Sequence, residues 1–411
     1  MSVPTPIADD RLCDRRQALI ALGAAATASL GARGFSAAAV NDEPSSSSAA
    51  KADTRAIDDQ PLDDVLRQLR NEEPGSRQGL STHAPMAAEA LCSLGYSDQA
   101  LPWLKTYQAP IRELPRPSQP INTANWREAL GPRIGAASWE DANARWGDWK
   151  EFFTAELAEK PWRTVLDVWT ARLAPGMSGA ATHGVIRTAH AVRALARRPS
   201  SERMGELARG LAYWASSFET LPARPRQTPG LKTIAEALDE TPLYREAFGR
   251  SPQGRNIVEV LREAGKFDRF AEVRDLIARP ADVSAALTSL TAAFARVYLR
   301  YGTNQDTIAF VHAVTGPCSL RRIAPHVAPE TARAAFPYAW QTAAAIFSAY
   351  VPKRETRRLE ESRRSPQELA ELAVKSGDEH AIKFTEAMLA EYKINPDPIY
   401  LDAADDAIRR L

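Results

Sequence analysis

The chain carries only six histidines, His83, His183, His190, His312, His326 and His380, so each one is informative. His83 stands two residues before Pro85, which marks a first helical turn, and Gly95 supplies the stop. At a helix N-terminus the backbone dipole disfavours imidazolium and keeps the ring neutral, as a metal ligand must be. A capping or surface histidine is the plainer alternative. His183 and His190 are nearly two helical turns apart, so both rings project from one face, with Arg187 between them. Ile186 and Ala194 line the same side, so this face is not simply solvated, and its polar groups need partners. Hydrogen bonding in the core would satisfy them; a metal is the sharper reading. His312 is one polar ring in the apolar run 308–316, where alone it reads as a satisfied core histidine.

Residues 364–383 form the most distinctive segment. Ser365 as cap, Pro366 at the first position and Glu368 closing a capping box predict a helix running to Lys375. Ser376 and Gly377 interrupt it, and the chain resumes a helix from Asp378. Lys375 and His380 can face one pocket if Gly377 changes the helical phase. A lysine of ordinary pKa, about 10.4, does not bind a cation. Burial near a metal frees its amine. Carbon dioxide can then convert the amine to a carbamate, whose oxygens suit iron or manganese. The alternative is a surface lysine, or one paired with Asp378 or Glu379.

These groups need helices to position them. From about residue 58 apolar residues recur at helical spacing with no long alternating run, which predicts an all-α protein, one large multi-helix domain around a central metal site. Residues 283–298 and 331–350, the latter with an expected kink at Pro337, are apolar nearly all round and belong in the core. No dinucleotide or phosphate-loop glycine motif opens a helix after a strand. The net charge of +1 gives no electrostatic case for nucleic acid or an anionic surface, and the basic stretch 353–358 reads as solvated helix. Three cysteines without CxxC spacing argue against a thiolate metal site; whether Cys92 and Cys318 pair is left open. Trp139, Trp146, Trp149 and Trp162 are candidates for an aromatic lining, with aromatic core as the alternative. Residues 1–40 read as a twin-arginine export signal built on Arg15 and Arg16, which implies a periplasmic or secreted protein without an integral membrane segment once the signal is removed; the alternative is a cytoplasmic protein with a disordered Ala-rich tail. Residues 41–57 read as a disordered Ser-rich linker and 58–411 as the catalytic domain.

Four segments together, residues 83–91, 183–187, 310–315 and 377–383, resemble the questin oxidase-like family in content and order. Its best-known relatives are fungal enzymes that oxidatively open anthraquinone rings, described as Baeyer–Villiger-type oxidases or as non-haem iron oxygenases. The resemblance implies one Fe(II) held by His83, His183, His312, His380 and a modified lysine, mapped here onto Lys375. The fungal pattern has a second histidine where this chain has Arg187, and a tyrosine where it has His190. That departure favours His183 as the ligand from this helix. It leaves Arg187 and His190 as the candidate catalytic residues, with Arg187 suited to hold a phenolate or enolate oxygen. The expected partners are an aromatic or quinone-like small molecule and dioxygen. Competing expectations are an NADPH-dependent Baeyer–Villiger-type oxidase, a paired-metal hydrolase, and a helical scaffold whose histidines are core.

Overall fold

Ser200, Thr233, Asp282, Ser365 and Asp378 each turn a side-chain oxygen onto a free backbone N–H of the following turn, and helices begin there. A computed structural model describes residues 60–71, 81–107, 117–132, 145–224, 230–250, 252, 254–302, 306–352 and 361–411. It has the all-α fold that the periodicity predicts, a single compact domain with sixteen α-helices among the described residues. Among the described residues there is no strand, and Met177 and Glu219 form an isolated bridge. The expected signal (1–40), the linker (41–57), the basic stretch 353–358 and Trp139 lie outside the described residues.

In chain order the helices are α1 (Gln60–Gln68), α2 (Ala84–Ser93), α3 (Ala100–Thr106), α4 (Trp146–Glu159), α5 (Trp162–Leu173), α6 (His183–Arg197), α7 (Ser201–Ser216) and α8 (Ile234–Asp239). There follow α9 (Tyr244–Phe248), α10 (Ile257–Ala264), α11 (Val283–Tyr301), α12 (Thr307–Ile323), α13 (Pro329–Tyr350), α14 (Pro366–Ser376), α15 (Glu379–Ile394) and α16 (Ile399–Arg410). α11 and α13 supply much of the main core, as their composition requires, and α13 continues through Pro337 as one helix. A smaller apolar cluster is built on α1, α2 and α3 and joins the rest through Ala194 of α6 and Ile382 of α15.

α2, α6, α12 and α15 close a ring, each packed on the next and α15 back on α2. α6 and α7 form an antiparallel hairpin that approaches closely at two glycines. A Cβ on Gly184 would lie 2.5 Å from the Trp214 Cα, and one on Gly210 would lie 2.9 Å from the Thr188 Cα. Both obstacles are backbone and cannot rotate aside. Gly184→Ala is therefore expected to destabilise the protein by about 1–3 kcal/mol, as overpacking does. A urea midpoint equal to the native one would refute this. Among the described residues no helix is long and apolar enough to cross a membrane.

Candidate metal centre

The ring of four helices brings four histidines together from opposite ends of the sequence. His83 Nε2 lies 2.8 Å from His183 Nε2, and His183 Nε2 lies 3.3 Å from His312 Nε2. His380 completes the group, its ring centroid 4.4 Å from that of His83 and 6.0 Å from that of His312. His83, His183 and His312 are buried and His380 is partly so. The four rings thus lie together in one cluster.

Each ring is held by a local device. His83 is the N-cap of α2, with Pro85 in the first turn, and its backbone N–H donates to the Tyr107 hydroxyl. Gly377 ends α14 in the left-handed conformation that glycine adopts freely (φ 72°), and its carbonyl accepts from Trp103 Nε1 at 2.8 Å. Asp378 then caps α15, accepting from the N–H groups of His380 and Ala381, and so sets His380 one residue inside the helix. His183 opens α6 after a strained turn in which Ala180, Ala181 and Thr182 all have positive φ. Each such non-glycine residue costs roughly 1–2 kcal/mol. His312 lies inside α12, the only one of the four away from a helix start.

The hydrogen bonds fix which nitrogens are bare. His183 Nδ1 contacts the Ala180 carbonyl at 2.7 Å and His312 Nδ1 contacts the Ile308 carbonyl at 2.6 Å. A carbonyl can only accept, so both Nδ1 atoms carry the proton and both Nε2 atoms present lone pairs. Two bare nitrogens thus face each other at 3.3 Å. Burial, then the charge of Lys383 and the mutual opposition of the neighbouring rings to a second charge, hold His83 and His380 well below the ordinary histidine value. Burial, then His312 and Lys383, do the same to His183. Burial takes His312 down to about 4. All four rings are neutral at pH 7. Among the described residues His83 Nδ1 has no hydrogen-bond partner, and the Glu379 carboxylate lies 3.5 Å from it. His83, Glu379 and His380 offer ligand atoms that lie within 4.8 Å of one another.

Lysine does join this group, but it is not Lys375. Lys375 is exposed in the last turn of α14, where Gly377 ends the helix instead of turning it inward. The lysine beside the rings is Lys383, one turn after His380 on α15. It is buried, it makes no hydrogen bond or ion pair among the described residues, and its charge acts on all four histidines. Burial lowers its pKa to about 8, opposed by Glu379 and Asp378. The helical spacing of His380 and Lys383 is visible in the sequence; the capping geometry that excludes Lys375 is not.

The two candidate catalytic residues are committed elsewhere. Arg187 is buried in a two-pronged pair with Glu206, at 2.6 and 3.1 Å, and Arg209 joins the same carboxylate. Glu206 engages Nε and Nη2 of Arg187, while the buried Nη1 has no hydrogen-bond partner among the described residues. His190 Nδ1 donates to Glu89 at 2.6 Å and its Nε2 accepts from Arg322 at 3.3 Å. Burial, aided by Arg322, takes it down to about 4 against the pull of Glu89. Glu89 also binds Arg193 and Arg197, and Glu386 binds Arg193 and Arg322. This network joins α2, α6, α12 and α15, the helices that carry the four histidines. Every network residue lies C-terminal to the histidine of its helix, so the four helices run in the same sense from the ring cluster to the ionic layer. The N-termini of α2, α6 and α15 all meet at the cluster. Charged residues in the Ala-rich helices, Glu89 and Glu386 above all, were the sequence signal for this layer.

Trp146 and Trp149 are fully buried in the core, Trp149 packing on Phe153 and Trp169, and Trp162 is half-buried beside His326. Cys92 and Cys318 are both buried, and no disulfide joins them. No protein-family profile and no curated protein sequence matches this chain.

Proposed function

We propose that this chain is a non-haem iron oxygenase acting on an aromatic or quinone-like small molecule with dioxygen. The observation that carries the reading is the cluster of four neutral imidazoles, two of them locked with bare nitrogens facing each other. Facing lone pairs repel unless a cation lies among them or a neighbouring ring donates a proton, as His83 Nε2 can to His183 Nε2 at 2.8 Å. Metal–nitrogen bonds of about 2.0–2.2 Å meeting at about 90–110° separate neighbouring nitrogens by about 2.8–3.6 Å. The observed 2.8 and 3.3 Å fit that range. His83 Nδ1, unpartnered among the described residues, and the buried Lys383 also fit a site that takes a polar ligand. The donor set alone suits iron, zinc, copper or nickel; iron and oxygen chemistry follow from the resemblance to the questin oxidase-like family. When bound, the iron would supply oxygen activation at an open position.

The protein's own contribution is orientation, dryness and charge. Backbone carbonyls of Ala180 and Ile308 hold two rings, and the apolar core around α11 and α12 keeps water away. Three helix N-termini and Lys383 make the cluster electropositive, which opposes a divalent cation. Carbamylation of Lys383 would reverse this. The neutral amine adds to the carbon of carbon dioxide, a proton leaves the nitrogen, and the side chain passes from cation to anion. Glu379, 3.5 Å from His83, is the second source of negative charge.

Elemental analysis of the purified protein, before and after Fe(II) reconstitution, tests the proposal. About one iron per chain is expected, with oxygen uptake on a quinone-type substrate. Lys383→Arg should weaken iron binding by roughly tenfold or more, and Lys375→Arg should leave it unchanged. Two metals per chain would favour the hydrolase, and uptake that requires NADPH would favour the Baeyer–Villiger-type oxidase. Absence of stoichiometric metal after reconstitution would end the metal reading and leave the rings as core groups.

A further inference from the structure

Ala180, Ala181 and Thr182, at φ 47°, 52° and 71°, are the only non-glycine residues with positive φ among those described. They run consecutively into His183, the first residue of α6. Thr182 is β-branched, for which this conformation is a true outlier. Such strain persists only where the surroundings over-determine it, and here they do. Met177 bridges Glu219, and the Ser178 hydroxyl donates to the Glu219 carbonyl at 2.7 Å. Gly179 lies so close that a Cβ would fall 1.9 Å from the Ser217 carbonyl oxygen. On the other side, Thr182 packs on Gly316 of α12, one turn beyond His312.

His183 and His312 need the same thing and obtain it differently. His312, inside a helix, donates from Nδ1 to the carbonyl four residues back. His183 opens its helix and has no helical carbonyl at that position. The left-handed turn supplies one from three residues back, at Ala180.

We infer that the Ala180–Ala181–Thr182 turn is a positioning device: it aims the Ala180 carbonyl at His183 Nδ1, fixes the ring tautomer, and so presents a bare Nε2 toward His83 and His312. The inference deepens the metal-site reading, but its central claim concerns the metal-free protein. Glycine adopts these backbone angles without strain and many others besides, so Ala180→Gly with Ala181→Gly should release the device without a new clash.

The experiment is nitrogen NMR of histidine-labelled, metal-free protein, with the His183 signal assigned from its absence in His183→Ala. The native chain should show His183 with Nδ1 protonated and Nε2 bare. The double glycine variant should show a mixture of tautomers, a thermal midpoint that is unchanged or a few degrees higher, and a Co(II) or Fe(II) Kd roughly tenfold weaker. Relief of strain together with loss of affinity is a pairing that a merely structural turn would not produce. A tautomer unchanged in the double variant overturns the inference, whatever the midpoint does. If the native protein binds no metal, the metal-site reading fails while the tautomer still decides this one.

Discussion

His183→Ala is expected to remove stoichiometric iron binding, weakening affinity by roughly 100-fold or more, with His326→Ala as the neutral control. His183 is the hinge of the cluster, since its Nε2 is the atom that both His83 and His312 approach. Loss of a positioning group alone costs 10–100-fold in metal affinity, and loss of the central ligand should cost at least that. His326 stands apart, half-buried beside Trp162. The cleanest readout is a thermal shift. A ligand that binds only the folded state stabilises it by RT ln(1 + [L]/Kd), about 2.7 kcal/mol at a hundredfold excess over Kd. Added Fe(II) should therefore raise the melting temperature of the native protein and of His326→Ala. It should leave that of His183→Ala unmoved. Equal shifts in all three proteins would mean that any metal binds elsewhere.

Glu89→Gln is expected to cost about 3–5 kcal/mol of stability at pH 7, the range seen when one partner of a buried ion pair is removed. Glu89 is buried, and burial pushes its carboxyl up. Arg193, Arg197 and His190 outweigh that and hold it well below the usual carboxylate range. The amide keeps the shape but leaves both arginines short of a counter-charge in the low-dielectric interior. Acid should act on the same layer in the native protein. His190 titrates near 6.5 when unfolded and at about 4 in the fold. Between those values the unfolded chain binds more protons, so stability is full above about pH 6.5 and is lost as the pH falls toward 4. At 1.36 kcal/mol per unit this amounts to about 3 kcal/mol for His190 alone. Glu89, with its depressed value, contributes stability that is lost at still lower pH. Urea denaturation of both proteins from pH 8 to pH 4 measures the two effects. A loss below about 1 kcal/mol in Glu89→Gln would show that the ionic layer does not hold the helices together. Because that layer joins the four helices that carry the rings, metal affinity should fall in the variant as well.

Much of this was legible in the residues. Helix ends are local, governed by a cap, a proline or a glycine within one turn. Ser365 and Glu368 close their box as read, Gly95 and Gly377 have positive φ, and His83 sits at the head of α2. Helical period likewise marked α11 and α13 as core. The scarcity of histidine singled out four rings, and all four belong to one cluster.

What the linear chain could not settle was which polar side chains share a space, because that depends on how helices distant in sequence lie against one another. Lys375 and Lys383 are both close to His380 in the chain. Gly377 ends α14 and leaves Lys375 in solvent, while Lys383 follows the inward face of α15. Arg187 and His190 share a face with His183, yet they meet Glu206 on α7 and Glu89 on α2, residues that only the packing brings near. The strain at residues 180–182 is equally invisible in an Ala-Ala-Thr sequence, since nothing in those side chains favours a left-handed turn. Sequence alone determined the helices, their ends and the scarce residue type able to hold a metal; the tertiary structure decided which charges face those rings and which are already paired, because pairing is a property of contacts between helices and not of any one of them.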